Sequence, residues 1–436
     1  MLLYSQHIST RLIYILNFIS KELFDEPILI TTDKEEFIGY DHPKLNYSAT
    51  ELSENDFFIK STSLLFQKSI CPQSVDCFEF NYNKAFFQTS GDFPFDIFAA
   101  SFYLLSRYEE YLPHQKDEYG RYAHSGSLAY REGFLQIPLV NIWIQDLKKA
   151  LQKKFPYLMF RHPSFKFIPT YDIDIAYSYL HKGWKRNTGG LMRSMINGEW
   201  SMIKDRVQVL LRKKKDPFDC YEWLDSVHLY CRLRAYYFFL VAREQKKYDK
   251  NISPDKQALQ NLVQYHARGY TIGIHPSWQS GDDENLLKEE IELLEYLSNK
   301  EIMRSRQHYI RIQLPLTYQR LLKTSVEKDF SMGYGSINGF RASVASSFYW
   351  YDLEKEQQTR LLLFPFCFMD ANSFYEEKLN PQQALGELMH YYHAIKKING
   401  LMITIWHNNF LGTDPQFAGW REVYEVFLKE EIYWDM

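Results

Sequence analysis

From about residue 165 onward the chain alternates short apolar runs with longer amphipathic stretches. The runs fall at residues 166–171, 235–241, 270–274, 308–314, 361–366 and 402–406, each of strand length. Between them, residues 221–233 and 287–297 carry apolar side chains three and four apart, the period of one helix face. Asn380-Pro381 opens a further helix that continues through Leu388 to about Lys397. Strands alternating with helices predict parallel strands joined by crossover helices, hence an α/β fold, as a (β/α) barrel or an open doubly wound sheet. In either architecture the C-terminal strand ends open on one face, where active sites gather.

The leading part of the chain is patterned differently. Short candidate strands at 27–31 and 77–81 mix with amphipathic stretches at 95–108 and 143–154, the last apolar at Leu147, Leu151 and Phe155. This predicts a smaller α/β domain over residues 1–155 and a second domain over residues 156–436, joined through turn residues such as Pro156 and His162-Pro163. No internal repeat or low-complexity tract interrupts the chain, and its 19 glycines and 16 prolines are scattered, so the domains should abut without a linker.

Composition narrows the function classes. Lys and Arg number 51 and Asp and Glu 54, a net charge of −3 with no long single-sign block, which argues against an electrostatic nucleic-acid or membrane binder. The basic cluster at 212–215 abuts Asp216 and Asp219 and reads as a solvated helix end. No uncharged apolar run approaches the roughly 18 residues a membrane span needs. The apolar stretch at 12–18 is broken by Asn17 and has no small-residue cleavage site after it, so no signal peptide is expected and the chain reads as soluble and cytoplasmic. Five cysteines without CxxC spacing fit reduced thiols, so any metal must use His and carboxylates. Aromatic residues, 17% of the chain, fill cores and also suit the faces of sugar rings.

Candidate chemistry lies at the strand ends. Asp172 and Asp174 close the first strand of the second region two residues apart, on one side of an extended chain. His275 follows the strand Gly273-Ile274, and Arg306, His308 and Tyr309 surround the next. Asp370 ends the run after residue 361, and Trp406-His407-Asn408-Asn409 ends the last strand. Each signal is modest alone. Their convergence on one predicted face matters more, because carboxylate and imidazole around an open position suit a hydrolytic metal, and a spare Asp and His supply base and acid.

These residues resemble the polysaccharide deacetylases of carbohydrate esterase family 4, the NodB-homology fold, whose motifs run in this order along a distorted (β/α) barrel. Thr170-Tyr171-Asp172-Ile173-Asp174 looks like the first motif, which implies Asp172 as base and Asp174 as metal ligand. Gly273-Ile274-His275 is similar to the second, implying His275 as ligand, although the second His expected four positions on is here Gln279. Arg306-Gln307-His308-Tyr309 resembles the third motif, placing Arg306 beside Asp172 and leaving His308 as the substitute third ligand. Gly339-Phe340-Arg341-Ala342-Ser343, Asp370, Trp406-His407-Asn408-Asn409 and the leading segment 98–111 look like a subgroup from Bacteroidetes-type bacteria, in which Gly rather than Ser343 is usual.

The resemblance implies a divalent metal, Zn²⁺ first and Co, Ni or Fe as alternatives. It also implies removal of an acetyl group, N-acetyl rather than O-acetyl, from a sugar of a glycan or glycan precursor. His407 becomes the acid, with Tyr309, Asp370, Trp406 and Asn408 as substrate contacts. Two other readings stand beside it: a catalytically silent member that binds a glycan or partner, consistent with Gln279 and Ser343, and a hydrolase of another linear or cyclic amide. Neither nucleic acid nor a membrane span is expected, and the sequence leaves the oligomeric state open.

Overall fold

A computed structural model describes residues 1–432, so the last four positions of the expected second domain, 433–436, lie outside the described residues. At the N-terminus four short parallel strands, β1 (Leu2–Tyr4), β2 (Leu29–Thr31), β3 (Lys44–Ser48) and β4 (Phe57–Lys60), form a sheet in the order β2-β1-β3-β4. The crossover helix Thr10–Leu23 starts where the Ser9 hydroxyl accepts from the Leu12 N–H, and it buries Leu12, Ile15, Leu16, Ile19 and Leu23. A hairpin of β5 (Phe78–Phe80) and β6 (Asn83–Ala85) and the helices Ile97–Leu105 and Leu139–Lys154 complete this part.

The second sheet has nine strands. They are β7 (Lys166–Ile173), β8 (Tyr236–Phe239), β9 (Thr271–Ile274), β10 (Arg304–Ser305), β11 (Lys328–Asp329), β12 (Phe348–Asp352), β13 (Gln357–Leu363), β14 (Phe368–Met369) and β15 (Leu401–His407). Their order is β12-β13-β11-β10-β9-β8-β7-β15-β14, and every pairing is parallel except β12 with β13. Parallel strands buried on both faces explain the near-continuous apolar runs. Between β13 and β14 the chain passes from one side to the other: Phe364 N–H donates to Asp329 and Phe366 N–H to Met332, then Cys367 N–H donates to Ile403 beside β15.

The helices follow their local signals. Asp283 accepts from the Asn285 and Leu286 N–H groups at the head of Glu284–Ser298, and Asn380 and Gln383 form a reciprocal capping box at the head of Pro381–Lys397. One expectation fails: residues 308–314 are not a strand. Tyr309 and Ile310 both adopt positive φ, 58° and 52°, which breaks the extended chain, and the strand is instead the short β10 just before them.

A single hydrophobic cluster runs through both sheets. At its centre Glu110 sits between two arginines, with Arg107 Nε at 2.7 Å and Arg341 Nη2 at 2.6 Å, all three buried. Ser343, where the resembled subgroup carries Gly, has φ of 52°, the backbone region that favours glycine. All five cysteines are free thiols. No helix among the described residues is long and apolar enough to cross a membrane.

Candidate active site

The register of β7 against its neighbours assembles the site. Asp172 lies opposite Phe238 on β8 and His407 on β15, so base and acid candidates share one level of the sheet. Arg306, just past β10, is fully buried and lies over the Phe238 ring at 4.5 Å. Its Nη1 donates to Asp172 Oδ1 at 2.8 Å and to the Thr170 hydroxyl at 2.7 Å, and its Nε to the Phe330 carbonyl at 3.0 Å. The second Asp172 oxygen faces inward, 3.9 Å from His275 Nε2. Gly273 makes the layer possible, since a Cβ there would meet the Phe238 ring at 2.6 Å and the Arg304 carbonyl at 2.9 Å.

Beyond Asp172, one ligand atom from each of Asp174, His275 and His308 lies within 4.8 Å of the others. His275 Nδ1 is 2.6 Å from the Arg306 carbonyl, an oxygen that only accepts, so Nδ1 carries the proton and Nε2 presents its lone pair to the cluster. His308 Nδ1 is held at 2.9 Å by Asp249, a buried carboxylate that also accepts from the Trp278 N–H. His308 Nε2 then points at Asp174 Oδ2, 3.5 Å away, and His275 Nε2 lies 3.0 Å from Asp174 Oδ1. Burial alone would raise the Asp174 carboxyl, but His308 and His275 outweigh it and hold it well below the usual range. Burial pushes the His308 imidazole down, and Asp174 and Asp249 outweigh that and lift it to about 9. Two imidazoles and a carboxylate with their ligand atoms this close could hold a divalent ion, and such donors suit Zn²⁺, Co²⁺, Ni²⁺ or Fe²⁺.

His407 closes the far side. Its Nδ1 is 2.6 Å from Asp370 Oδ1 and its backbone N–H donates to Asp370 Oδ2 at 2.7 Å, leaving Nε2 3.5 Å from Asp174 Oδ2. Burial lowers the imidazole, and Asp370 outweighs it, so the group rises to about 10.

These groups line a cleft of about 640 Å³. One wall is aromatic: Tyr309 lies 5.3 Å from Tyr248 and Tyr119 5.4 Å from Tyr309, and Trp278, outside the lining, stacks on Tyr248 at 4.0 Å. Tyr309 faces the cleft as expected of a substrate contact. Three other expected contacts do not. Asp370 is fully buried and spends both oxygens on His407. Trp406 is fully buried against Phe368 and Tyr424, because alternate residues of β15 point away from the cleft. Asn408 is buried and donates to the carbonyls of Ile175 and Phe218, which fixes the loop, while Asn409 lines the cleft. Gln279 is outside the cleft, and His308 stands among the donors instead.

Sequence reasoning missed Asp249, which lies in irregular chain after β8 with no local mark, and the contribution of the leading segment. Glu118, Tyr119 and Arg121 line the cleft, and Arg121 Nη1 donates to the Tyr309 carbonyl at 2.6 Å across 188 residues of sequence.

Comparison with known proteins gives the following. A family model described as a family of unknown function, DUF7033, matches residues 1–156. No curated protein matches the chain. Among solved structures, a protein named as a polysaccharide deacetylase from Mycobacterium smegmatis has 13% identity and a TM-score of 0.39, covering 63% of this chain and 88% of its own. The polysaccharide deacetylase of Bacillus cereus has 11% identity and a TM-score of 0.29, covering 62% and 88%. A mutant of a CE4 family pseudoenzyme with restored activity has 11% identity and a TM-score of 0.27, covering 62% and 65%.

Proposed function

We propose that the chain is a metal-dependent hydrolase that removes an acetyl group, N-acetyl before O-acetyl, from a sugar of a glycan or glycan precursor. The observation that carries this reading is the convergence of three separate devices on one cleft: the Arg306-held Asp172, the donor set Asp174, His275 and His308, and the Asp370-held His407. The nine-stranded sheet, linked across both sides by residues 364–369, is read as a distorted barrel, with residues 156–436 as its domain.

In this reading Asp174, His275 and His308 would hold a divalent ion, which would supply Lewis-acid polarisation of the acetyl carbonyl and a water acidic enough to lose its proton near neutral pH. Asp172 accepts that proton. Arg306 donates to Asp172 Oδ1 and so leaves the other carboxylate oxygen to the cleft. The Tyr309 backbone N–H donates to the developing oxyanion. His407 gives its Nε2 proton to the leaving amine, which otherwise departs as a poor anion. The aromatic wall offers ring faces to a sugar, and residues 1–155 supply Tyr119 to it, so the leading domain takes part in substrate positioning.

Gln279 and Ser343 favour a catalytically silent member, whereas the closeness of His308 to Asp174 and His275 supports the active reading. The test is acetate release from a panel of acetylated oligosaccharides, with cyclic amides as the competing substrates. Asp172→Asn should lower turnover by at least about 100-fold while bound metal is unchanged. An Asp172→Asn protein as active as the unsubstituted one, with metal in place, would remove Asp172 from the base role.

A further inference from the structure

The segment between β7 and the helix Tyr221–Tyr230 is a helical hairpin, Gly183–Ile196 followed by Trp200–Leu210. Its amphipathic pattern is inverted. In the first helix the buried positions are Asn187 and Ser194, whereas Trp184 is 73%, Met192 64% and Ile196 83% exposed. In the second helix Val209 alone is buried, and Trp200 is 69% exposed. On 3.6-residue periodicity Trp184, Met192, Met195 and Ile196 share one arc of about 120°, which does not include the buried Asn187 and Ser194.

Charge follows the same division. Residues 182–215 hold ten Lys and Arg against two acidic residues, Glu199 and Asp205, in a chain whose net charge is −3. Lys185, Arg193 and Lys204 are exposed beside the outward apolar arc, and the run Arg212 to Lys215 follows it, also exposed. Local concentration of cations, in a protein that is slightly acidic as a whole, is why the composition gives no sign of it.

We propose that this hairpin docks the protein on an anionic bilayer surface, with Trp184, Met192, Met195, Ile196 and Trp200 entering the headgroup boundary and the flanking Lys and Arg meeting lipid phosphates. Exposed tryptophans beside basic residues on a helix too short to span are the chemistry of a helix lying in the interface plane. A soluble protein partner is less well matched, since the exposed charges nearest the arc, Lys185, Arg193 and Lys204, are basic, while Asp205 is paired with Lys214. The hairpin sits at the rim of the cleft. Arg186 Nη2 donates to the Lys250 carbonyl at 2.8 Å, and Lys250 lines the cavity. The docking itself does not depend on the hydrolase reading.

The experiment is sedimentation of the full chain with phosphatidylglycerol-containing vesicles and with pure phosphatidylcholine vesicles, at low and high salt. Three proteins are compared: unsubstituted, the triple variant Trp184→Ser, Ile196→Ser, Trp200→Ser, and the triple variant Lys185→Glu, Arg193→Glu, Lys204→Glu. Circular dichroism confirms that each is folded, and sedimentation velocity reports self-association. The expected result is binding to the anionic vesicles only, weakened by salt, and reduced about tenfold or more by either triple variant. Failure of the unsubstituted protein to bind anionic vesicles overturns the proposal. So does binding that both variants retain, or a dimer that the apolar triple variant dissolves, which would make the arc a contact between copies of this chain.

Discussion

Asp249 is the residue on which the third ligand depends. In the proposed function His308 serves as third ligand where the sequence has Gln279, and its Nε2 is turned to Asp174 while the Asp249 carboxylate lies 2.9 Å from Nδ1. A ligating imidazole whose outer nitrogen loses its carboxylate partner typically loses about 10- to 100-fold in metal affinity. Asp249→Asn should therefore weaken metal binding by that factor, measured by competition with a chromophoric chelator, while the fold survives. Unchanged affinity would mean that His308 is oriented by its backbone alone. The placing of Asp172, Asp174, His275 and His407 at one cleft was legible because each is a polar residue ending an apolar run. Asp249 ends nothing, and only the three-dimensional approach of its loop to His308 gives it a role.

At the scale of elements, the alternation of apolar and amphipathic stretches located most strands of the second sheet, since parallel strands covered on both faces leave a continuous apolar signal. It failed at 308–314. Tyr309, Ile310, Ile312 and Leu314 mimic a strand, but positive φ at two successive residues turns the chain there, and this turn is what brings His308 and Tyr309 into the cleft. Trp406 and Asn408, expected as substrate contacts, are buried for other reasons: Trp406 by its facing on β15, which comes from pairing rather than local composition, and Asn408 by donating to the Ile175 and Phe218 carbonyls. The connection at Gly339 is more demanding still. Gly339 has φ of 138°, and a Cβ would meet the Leu135 carbonyl at 2.8 Å, where that carbonyl accepts from the Phe340 N–H. Gly339→Ala should destabilise the protein by about 1–3 kcal/mol, seen as a lower melting temperature, and an unchanged melting temperature would contradict the constraint.

Across the whole molecule, the two parts predicted to abut share one core, and the tie at its centre is ionic. Burial alone would raise the Glu110 carboxyl, but Arg341 and Arg107 outweigh it and hold it at about 2, against an ordinary value of 4.5. A lowered carboxylate stabilises the fold above its unfolded value, and that contribution disappears as the pH falls through the folded one. Glu110→Gln leaves two buried guanidinium groups underbalanced and should cost about 3–5 kcal/mol near neutral pH. The gap in melting temperature between the two proteins should be full above pH 4.5 and close as the pH drops toward about 2. A gap that is constant over that range would assign the loss to packing rather than to charge. This tie was invisible in the sequence, as was the wall that Tyr119 and Arg121 bring to the cleft, because both depend on contacts between residues far apart along the chain.

The central claim is that Asp174, His275 and His308 together hold one divalent ion. Elemental analysis tests it most directly, on the full-length protein purified without chelator, beside Asp174→Ala, His275→Ala and His308→Ala, with Asp172→Asn as the control that should keep its metal. The account predicts near-stoichiometric zinc, cobalt, nickel or iron in the unsubstituted protein and in the control, lost from all three ligand variants. Metal absent from the unsubstituted protein even after supplementation, or retained in full by His308→Ala, would contradict it.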